Sequence, residues 1–281
     1  MPDICAVVLA GGKRGAKAIH HKNKAFLEFC GEPLIIHVLR SIQKAKQVKC
    51  IVAVGPKDKL AETIAASTLD GKAEITIVEQ RQNLLENGKA GFIHSLGMEY
   101  SPALFDSLRL SEYSDQAAIF VSCDIPLVTP WEIDEFISKA DIVNHEYTLG
   151  VTSEEVMQSY YPSDDKPGIK MAYFHLKEGR CRHNNLHIAK PLKIHRLAYV
   201  ERMYLTRYQK KMHNIFAFFL SLFLAGPWMF SALKVFLGLQ IARSRYVRHG
   251  GGWYYEKIRS TNSVASACKC VGGVMSMRME V

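Results

Sequence analysis

The stretch Val7-Val8-Leu9-Ala10-Gly11-Gly12-Lys13-Arg14-Gly15-Ala16-Lys17, written VVLAGGKRGAK, joins a short apolar run to a basic loop. The apolar run is typical of a buried strand, and it ends in two glycines that are followed by Lys13, Arg14 and Lys17. Glycines let backbone N–H groups approach an anion closely, and a guanidinium fits phosphate oxygens. The stretch therefore predicts either a phosphate-binding loop at a strand end or a turn with solvated lysines.

Apolar runs alternate with helical patterns along the first half of the chain. The predicted strands are residues 4–9, 48–55, 74–80 and 117–124, and the predicted helices are 33–46, 58–67 and a segment after Asn87. Asn87 is a residue type that commonly caps a helix start. This alternation predicts an α/β, Rossmann-like, mainly parallel sheet with right-handed crossovers. Ligands bind beyond the carboxyl ends of such strands, so the glycine pair and Asp124 are expected to face one crevice.

Asp124 ends an apolar run in the sequence FVSCDIPLVTP, residues 120–130. A carboxylate at the end of a buried strand suits Mg²⁺, which proteins usually hold through one or two carboxylates and substrate phosphates. The alternative is that Asp124 caps the following turn or helix. Taken alone, the residue leaves both interpretations open.

Four segments together resemble the nucleotidyltransferase (NTP-transferase) superfamily. They are LAGG at 9–12, NKAFLEFCGEPLI at 23–35, ENG at 86–88 and CDIPLVTP at 123–130. The resemblance is nearest to the branch of the molybdenum-cofactor guanylyltransferases, and it covers about residues 4–195. It implies a GT-A-like nucleotidyltransferase fold.

The resemblance also implies a role for several residues. It places the nucleotide base and ribose against the backbone of Leu9, Ala10, Gly11 and Gly12. Arg14 and Lys24 would lie on the triphosphate, and Asp124 would bind Mg²⁺. Glu86, Asn87 and Gly88 would lie near the base at a helix start, where backbone dipoles favour anions. The implied catalytic residues are therefore Arg14, Lys24 and Asp124.

The implied reaction is attack by an acceptor phosphate on the α-phosphorus of an NTP, with release of pyrophosphate. Positioning and charge neutralisation would provide the catalysis, as the cations and the carboxylate suggest. The expected partners are an NTP and a phosphorylated small-molecule acceptor, with a sugar phosphate or a lipid-linked phosphate as further options. The alternative is a non-catalytic NTP-binding or membrane-associated regulatory protein of the same fold.

The C-terminal sequence departs from the family pattern. The resemblance implies a second metal carboxylate near the C-terminus, often in a D-x-D on a returning strand, whereas residues 270–281 read CVGGVMSMRMEV. Methionine has a single codon, ATG. If one G is inserted before the codon of Met275, the shifted frame of VMSMRMEV can be read as V-D-V-D-E-D-G-G. We hypothesise a frame error or a natural frameshift here, which resequencing of the gene tests. With this sequence as it stands, the Mg²⁺ site implied by the resemblance lacks that second carboxylate.

We expect a nucleotidyltransferase domain over residues 1–195, a helical appendage over 196–246 and an irregular tail over 247–281. Residues 214–242 are the most apolar part of the chain, and Gly226-Pro227 interrupts them. This segment predicts a helical hairpin on the catalytic domain, a membrane-surface or re-entrant anchor, or a span. We expect a cytoplasmic protein, with peripheral contact at the inner membrane surface through 214–242 as an alternative.

Charge and cysteine content narrow the function classes. The net charge is +9, but residues from 182 onward hold 16 Lys and Arg against 3 Asp and Glu, whereas the preceding residues hold 20 against 24. The N-terminal two-thirds is therefore not a general nucleic-acid binder, and we expect no nucleic-acid partner. The seven cysteines contain no C-x-x-C pair, so we expect reduced thiols and no zinc site.

Overall fold

The computed structural model describes residues 4–12, 23–169, 171, 173–176, 179–194, 268–271 and 274–277, and these ranges contain eleven strands and six α-helices. The strands are β1 (Ile4–Leu9), β2 (Glu28–Phe29), β3 (Glu32–Pro33), β4 (Val48–Gly55), β5 (Glu74–Glu79), β6 (Ala118–Ser122), β7 (Tyr147–Ser153), β8 (Phe174–Leu176), β9 (Gly179–Ala189), β10 (Cys268–Val271) and β11 (Val274–Met277). The helices are α1 (Leu34–Lys44), α2 (Lys57–Ala65), α3 (Leu84–Ser95), α4 (Pro102–Ser107), α5 (Pro130–Lys139) and α6 (Glu154–Gln158). The four predicted strands are confirmed as β1, β4, β5 and β6.

The sheet has a parallel centre and an antiparallel side. Seven of its nine strands follow one another in the order β11-β7-β9-β6-β1-β4-β5. Strand β1 pairs in parallel with β4 and β6, and β4 pairs in parallel with β5. Strand β9 runs antiparallel to β6, and β11 runs antiparallel to β7. The predicted Rossmann-like α/β class is confirmed, and the carboxyl ends of β6, β1, β4 and β5 lie along one edge.

Successive side chains of β1 point to opposite faces of the sheet, and each face has its own hydrophobic core. Ala6 and Val8 pack with buried residues of α1 and α5, whereas Val7 packs with buried residues of α3 and α4. Both faces of this strand are buried, which explains its continuous apolar sequence. Complete burial of one such aliphatic side chain contributes about 1.5–3 kcal/mol, so the two cores hold β1 firmly in the centre.

Helix α3 lies unusually close to the sheet. A Cβ atom added at Gly91 would overlap the side chain of Val7 and would lie 2.9 Å from Val54 Cγ2. Only a residue without a side chain permits this approach. The close packing brings the start of α3 beside the end of β1.

The structure pairs two cysteines that we expected to be reduced. Cys5 of β1 and Cys50 of β4 are directly opposite in the parallel register and form a disulfide. The expectation of reduced thiols was therefore wrong for this pair, because strand register brought together two residues 45 positions apart. Among the remaining cysteines with described side chains, Cys30, Cys123 and Cys181 are thiols.

The described residues fall into two compact units. One contains those within 1–150, 183–201 and 274–281, and the other contains those within 151–182 and 202–273. Strands β10 and β11 lie in the range 247–281, for which we expected no regular structure. The predicted appendage 196–246, with its apolar segment 214–242, lies outside the described residues, so the domain boundaries stay predictions. No helix in the described ranges has the length and apolarity needed to cross a bilayer.

Candidate functional site

The glycine loop after β1 is held by side chains from two other segments. Ala10 N–H donates to Val54 O at 2.8 Å, which continues the β1–β4 ladder by one residue. Asn23 Nδ2 donates to Ala10 O at 2.7 Å, and Gly12 N–H donates to Gln80 Oε1 at 2.9 Å. These bonds fix the backbone of the loop in a defined shape.

Asn87 packs against this loop from the first turn of α3. Its side chain is buried, Oδ1 accepts from Arg81 N–H at 2.5 Å, and a Cβ atom on Gly11 would overlap Nδ2. Gly11 is therefore needed for a close approach rather than for an unusual backbone angle. Asn87 and the glycine pair therefore lie side by side, while their contact with a nucleotide base stays a prediction.

The start of α3 differs from the prediction. Asn83 is the N-cap, and its Oδ1 accepts from Glu86 N–H at 2.9 Å, whereas Asn87 lies inside the helix and donates its N–H to Asn83 O at 3.0 Å. The prediction of Asn87 as the cap was wrong, because Leu84 and Leu85 extend the helix by one turn toward the N-terminus. Gly88 follows in the helix with Phe120 beside it.

Glu86 is tied to its own helix and to the chain that follows it. Its carboxylate accepts from Lys89 Nζ at 2.8 Å and from Tyr100 Oη at 2.6 Å. Burial raises the pKa of Glu86, but these two donors outweigh it and hold the pKa below its usual value. Glu86 therefore ties the first turn of α3 to Tyr100 in the segment that follows the helix.

Asp124 lies just beyond the end of β6 and accepts two hydrogen bonds. Ser122 Oγ donates to Oδ1 at 2.5 Å, and Lys24 Nζ is 2.8 Å from Oδ2. Lys24 stands on a single 3-10 turn, Lys24–Phe26, which Asn23 caps by accepting from Ala25 N–H at 3.1 Å. Asn23 therefore links the Lys24 turn to the glycine loop.

The electrostatics of this end of β6 favour an ionised carboxylate. Burial raises the pKa of Asp124, but the bonds from Lys24 and Ser122 outweigh it and hold the pKa below its ordinary value. The adjoining Cys123 has the opposite shift, because burial and then the charge of Asp124 raise its pKa to about 12. Cys123 is therefore a neutral thiol, and Asp124 carries the negative charge.

The ends of β1 and β6 are neighbours, as expected from the parallel alternation. Leu9 is opposite Ser122 in the β1–β6 register, so the glycine loop and Asp124 leave the sheet side by side. Lys24 contacts Asp124 directly, and Asn87 contacts the loop. Arg14 lies outside the described residues, so its place on a triphosphate stays a prediction.

The donor atoms at this site fit a magnesium ion that shares its coordination with a nucleotide. Asp124 offers a carboxylate, whose hard oxygen atoms are the kind of ligand that Mg²⁺ prefers. The described part of the chain contains no group of three or more His, Cys, Asp or Glu side chains that could hold a metal ion. Phosphate oxygens and water would therefore complete the coordination of Mg²⁺ here.

Three contributors were missed in the sequence: Asn23, Gln80 and Ser122. Asn23 precedes a helical turn and could have been recognised as a cap. Gln80 directly follows β5, at the edge where ligands of parallel sheets bind. Ser122 precedes Asp124 by two residues, and nothing in its spacing distinguishes it from an ordinary strand serine.

The parallel sheet with a glycine loop after β1 and an aspartate after β6 defines the class as a Rossmann-like nucleotidyltransferase fold. The comparison with solved structures agrees, since a hypothetical transferase from Thermus thermophilus is 22% identical, with 88% of each chain covered and a TM-score of 0.53. At that identity the similarity shows the fold alone.

The family model described as MobA-like NTP transferase domain matches residues 6–161, more than half of the chain. The chain therefore belongs to this family of nucleotidyltransferases, and the resemblance drawn from its motifs is confirmed. Curated relatives include the 2-C-methyl-D-erythritol 4-phosphate cytidylyltransferases of Rubrobacter xylanophilus, 33% identical over 70 residues, and of Chlamydia muridarum, 42% identical over 50 residues. These matches cover 25% and 18% of this chain and 29% and 23% of the relatives, so the chain spans less than a third of their length.

Proposed function

We propose that the protein transfers a nucleoside monophosphate from an NTP to a phosphorylated acceptor and releases pyrophosphate, in a reaction that depends on Mg²⁺. The observation that carries this proposal is the adjacency of Leu9 and Ser122, because it sets the glycine loop beside the Lys24–Asp124 pair. Family membership supports the same chemistry.

Each residue has a defined task in the proposed reaction. The backbone from Leu9 to Gly12 would receive the base and ribose, and the charges of Arg14 and Lys24 would lie on the triphosphate. Asp124 would hold Mg²⁺, which when bound neutralises charge on the phosphates. An acceptor phosphate oxygen forms a bond to the α-phosphorus, the bond from that phosphorus to the bridging oxygen breaks, and pyrophosphate leaves with the electron pair.

The first test is ligand-linked stabilisation. Each of the four NTPs is added with and without Mg²⁺, and the thermal unfolding midpoint is measured; a ligand at 100 times its Kd stabilises by about 2.7 kcal/mol. Asp124→Asn should lose the Mg²⁺-dependent part of the shift. Asp70→Asn, an exposed residue between α2 and β5, makes the same chemical change away from the site and should keep it.

The second test is pyrophosphate release with an acceptor. The names of the curated relatives supply the first pair, CTP with 2-C-methyl-D-erythritol 4-phosphate, followed by sugar phosphates and a lipid-linked phosphate. Pyrophosphate formed in proportion to the acceptor supports transfer. If no NTP shifts the midpoint and none yields pyrophosphate, the proposal is wrong.

A second candidate is a non-catalytic NTP-binding protein. It is favoured by the sequence of β11, since its four residues, Val274–Met277, contain no carboxylate where the family pattern implies one. A thermal shift with NTP and Mg²⁺, but without pyrophosphate from any acceptor, would support this candidate. The frameshift hypothesis belongs to the same question and is tested by resequencing.

We also propose that the protein works in the cytoplasm, with contact at the inner membrane surface through residues 214–242 as the alternative to a helical hairpin. The support is compositional: this apolar segment lies in the part of the chain that carries the excess of positive charge.

A further inference from the structure

The two oxygens of Asp124 are held in different ways. Oδ1 accepts from Ser122 at 2.5 Å, and Ser122 is a strand residue fixed in register opposite Leu9. Oδ2 accepts from Lys24 at 2.8 Å, and the Lys24 side chain is 37% exposed on a single 3-10 turn. The serine hydroxyl stands on one rotatable bond of a backbone held by the strand ladder and has few other positions, whereas the flexible four-carbon side chain of lysine can swing to another anion.

We propose that Lys24 and the divalent cation bind the same oxygen of Asp124 in alternation, so that Lys24 excludes the bare cation and admits it only together with a triphosphate. This inference rests on the proposed function and deepens it by stating the order in which the ligands bind. Ser122 acts as a positioning residue, because it fixes Oδ1 and thereby leaves Oδ2 as the oxygen at which exchange takes place.

The physical reason is repulsion between like charges. A Mg²⁺ ion needs an oxygen at about 2.1 Å, a distance that would leave it only a few ångströms from an ammonium on the same oxygen. Repulsion between two unit charges about 4 Å apart weakens the binding constant of the second charge about fivefold in water, and by more near a protein surface. Lys24 must therefore leave before the cation binds, and its departure is unfavourable unless another anion accepts it.

A triphosphate supplies that anion. Its oxygens can accept the Lys24 ammonium while others of them ligate the cation, so one ligand both releases the oxygen and completes the coordination. Binding of cation and nucleotide is then positively coupled, and the coupling is reciprocal. This coupling would protect the site from occupation by free cations.

The test measures binding of bare Mn²⁺ without nucleotide, by the electron paramagnetic resonance signal of the free ion. Lys24→Met should bind Mn²⁺ about tenfold more tightly than the wild type, because the competing charge is gone. Ser122→Ala should bind it no more tightly than the wild type, because Oδ1 is no longer fixed. Two substitutions that each remove one donor to the same carboxylate thus give different outcomes.

The matched control is Lys49→Met. Lys49 is exposed as the second residue of strand β4, at the end of the strand away from the site, and its removal changes the net charge by the same amount. It should leave Mn²⁺ binding unchanged. If Lys49→Met and Lys24→Met strengthen binding equally, general charge rather than exchange at Oδ2 is responsible, and the inference is wrong.

A second measurement uses a non-hydrolysable NTP analogue. The ratio of Mn²⁺ affinity with and without the analogue should be about tenfold smaller in Lys24→Met than in the wild type, because part of the coupling is lost. Lys24→Gln, which keeps a polar side chain, serves if Lys24→Met does not fold. An unchanged ratio, or weaker bare-ion binding in both variants, would overturn the inference.

Failure of this inference is distinguishable from failure of the proposed function. Pyrophosphate release tests transfer and requires an acceptor, whereas Mn²⁺ binding requires neither acceptor nor turnover. A wild type that releases pyrophosphate while Lys24→Met binds bare Mn²⁺ no more tightly keeps the function and rejects the exchange.

Discussion

Gly11 has no space for a side chain, and the reason is a single neighbour. An added Cβ would overlap Asn87 Nδ2, while Asn87 is itself held by the bond from Arg81 N–H to its Oδ1. The loop and the first turn of α3 therefore constrain one another. A methyl group at this position would move either the loop or the helix, and both take part in the proposed nucleotide site.

We predict that Gly11→Ala lowers the free energy of unfolding by about 1–3 kcal/mol and weakens NTP binding, because overpacking forces the loop to shift. The measurements are chemical denaturation and NTP-dependent thermal shift. In the double variant Gly11→Ala/Asn87→Ala the two losses should be less than additive, because the second change removes the clashing amide.

Gly88→Ala is the matched control for that prediction. Gly88 lies in α3, the helix that carries Asn87. A Cβ atom at Gly88 would be 3.6 Å from the nearest side chain, that of Phe120, which is an ordinary contact. Alanine is more favourable than glycine inside a helix by about 1 kcal/mol. Gly88→Ala should therefore be as stable as the wild type or more stable. Equal losses in Gly11→Ala and Gly88→Ala would contradict the proposed clash.

His187 is a buried titratable group on the antiparallel side of the sheet. It is opposite Phe120 in the β6–β9 register, and its Nδ1 forms a 2.6 Å hydrogen bond with Tyr147 Oη. Burial, and then the charge of His183, lower the pKa of His187 to about 4 from its ordinary 6.5. The imidazole is therefore neutral in the folded protein at neutral pH.

This lowered pKa predicts a pH-dependent stability. Between pH 6.5 and about 4 the unfolded chain takes up a proton at this histidine that the folded protein does not, so the free energy of unfolding falls as the pH falls through this window. In His187→Gln that loss should be smaller by about 3 kcal/mol. Denaturation at a series of pH values measures it, and identical pH profiles would contradict the assignment.

At the scale of elements, the start of α3 has the most direct link to the site. Asn83 caps the helix, and the helix carries Asn87 to the glycine loop. Helix α4 offers a comparison, because its cap Ser101 accepts from Leu104 N–H at 3.1 Å in the same manner. The two caps differ in what their helices position.

We predict that Asn83→Ala and Ser101→Ala each lower the free energy of unfolding by about 1 kcal/mol, because each loses one cap. Asn83→Ala should also weaken NTP binding, since the first turn of α3 frays and Asn87 shifts, whereas Ser101→Ala should not. Chemical denaturation and NTP titration give the two quantities. Equal NTP affinity in the two variants would show that the α3 cap does not position the site.

The arrangement of elements was largely predictable, while the contacts that fix the site were not. Buried apolar runs alternating with helices indicate a parallel sheet, and that alone brought Leu9 and Ser122 to one edge. The choice between Asn83 and Asn87 as cap depended on whether two leucines joined the helix, which tertiary packing decides. The Cys5–Cys50 pair depended on strand register, which residue spacing does not reveal.

At the scale of the whole molecule, the charge is divided in a way that the fold does not explain. Residues before 182 have 20 basic against 24 acidic side chains, and those from 182 onward have 16 against 3. The first part should therefore be repelled by an anionic surface and the second attracted to it. A negatively charged membrane surface attracts each nearby Lys or Arg by about 1 kcal/mol.

We predict that the full chain co-sediments with vesicles of phosphatidylglycerol and phosphatidylcholine in equal parts, and not with vesicles of phosphatidylcholine alone. If the basic residues drive the association, it should weaken strongly near 1 M salt, where the Debye length is about 3 Å. Binding that persists at that salt concentration would instead indicate insertion of an apolar segment, for which 214–242 is the candidate. Equal recovery with both kinds of vesicle at low salt would contradict electrostatic recruitment, and recovery with neither would reject the proposed membrane contact while leaving nucleotide transfer untouched.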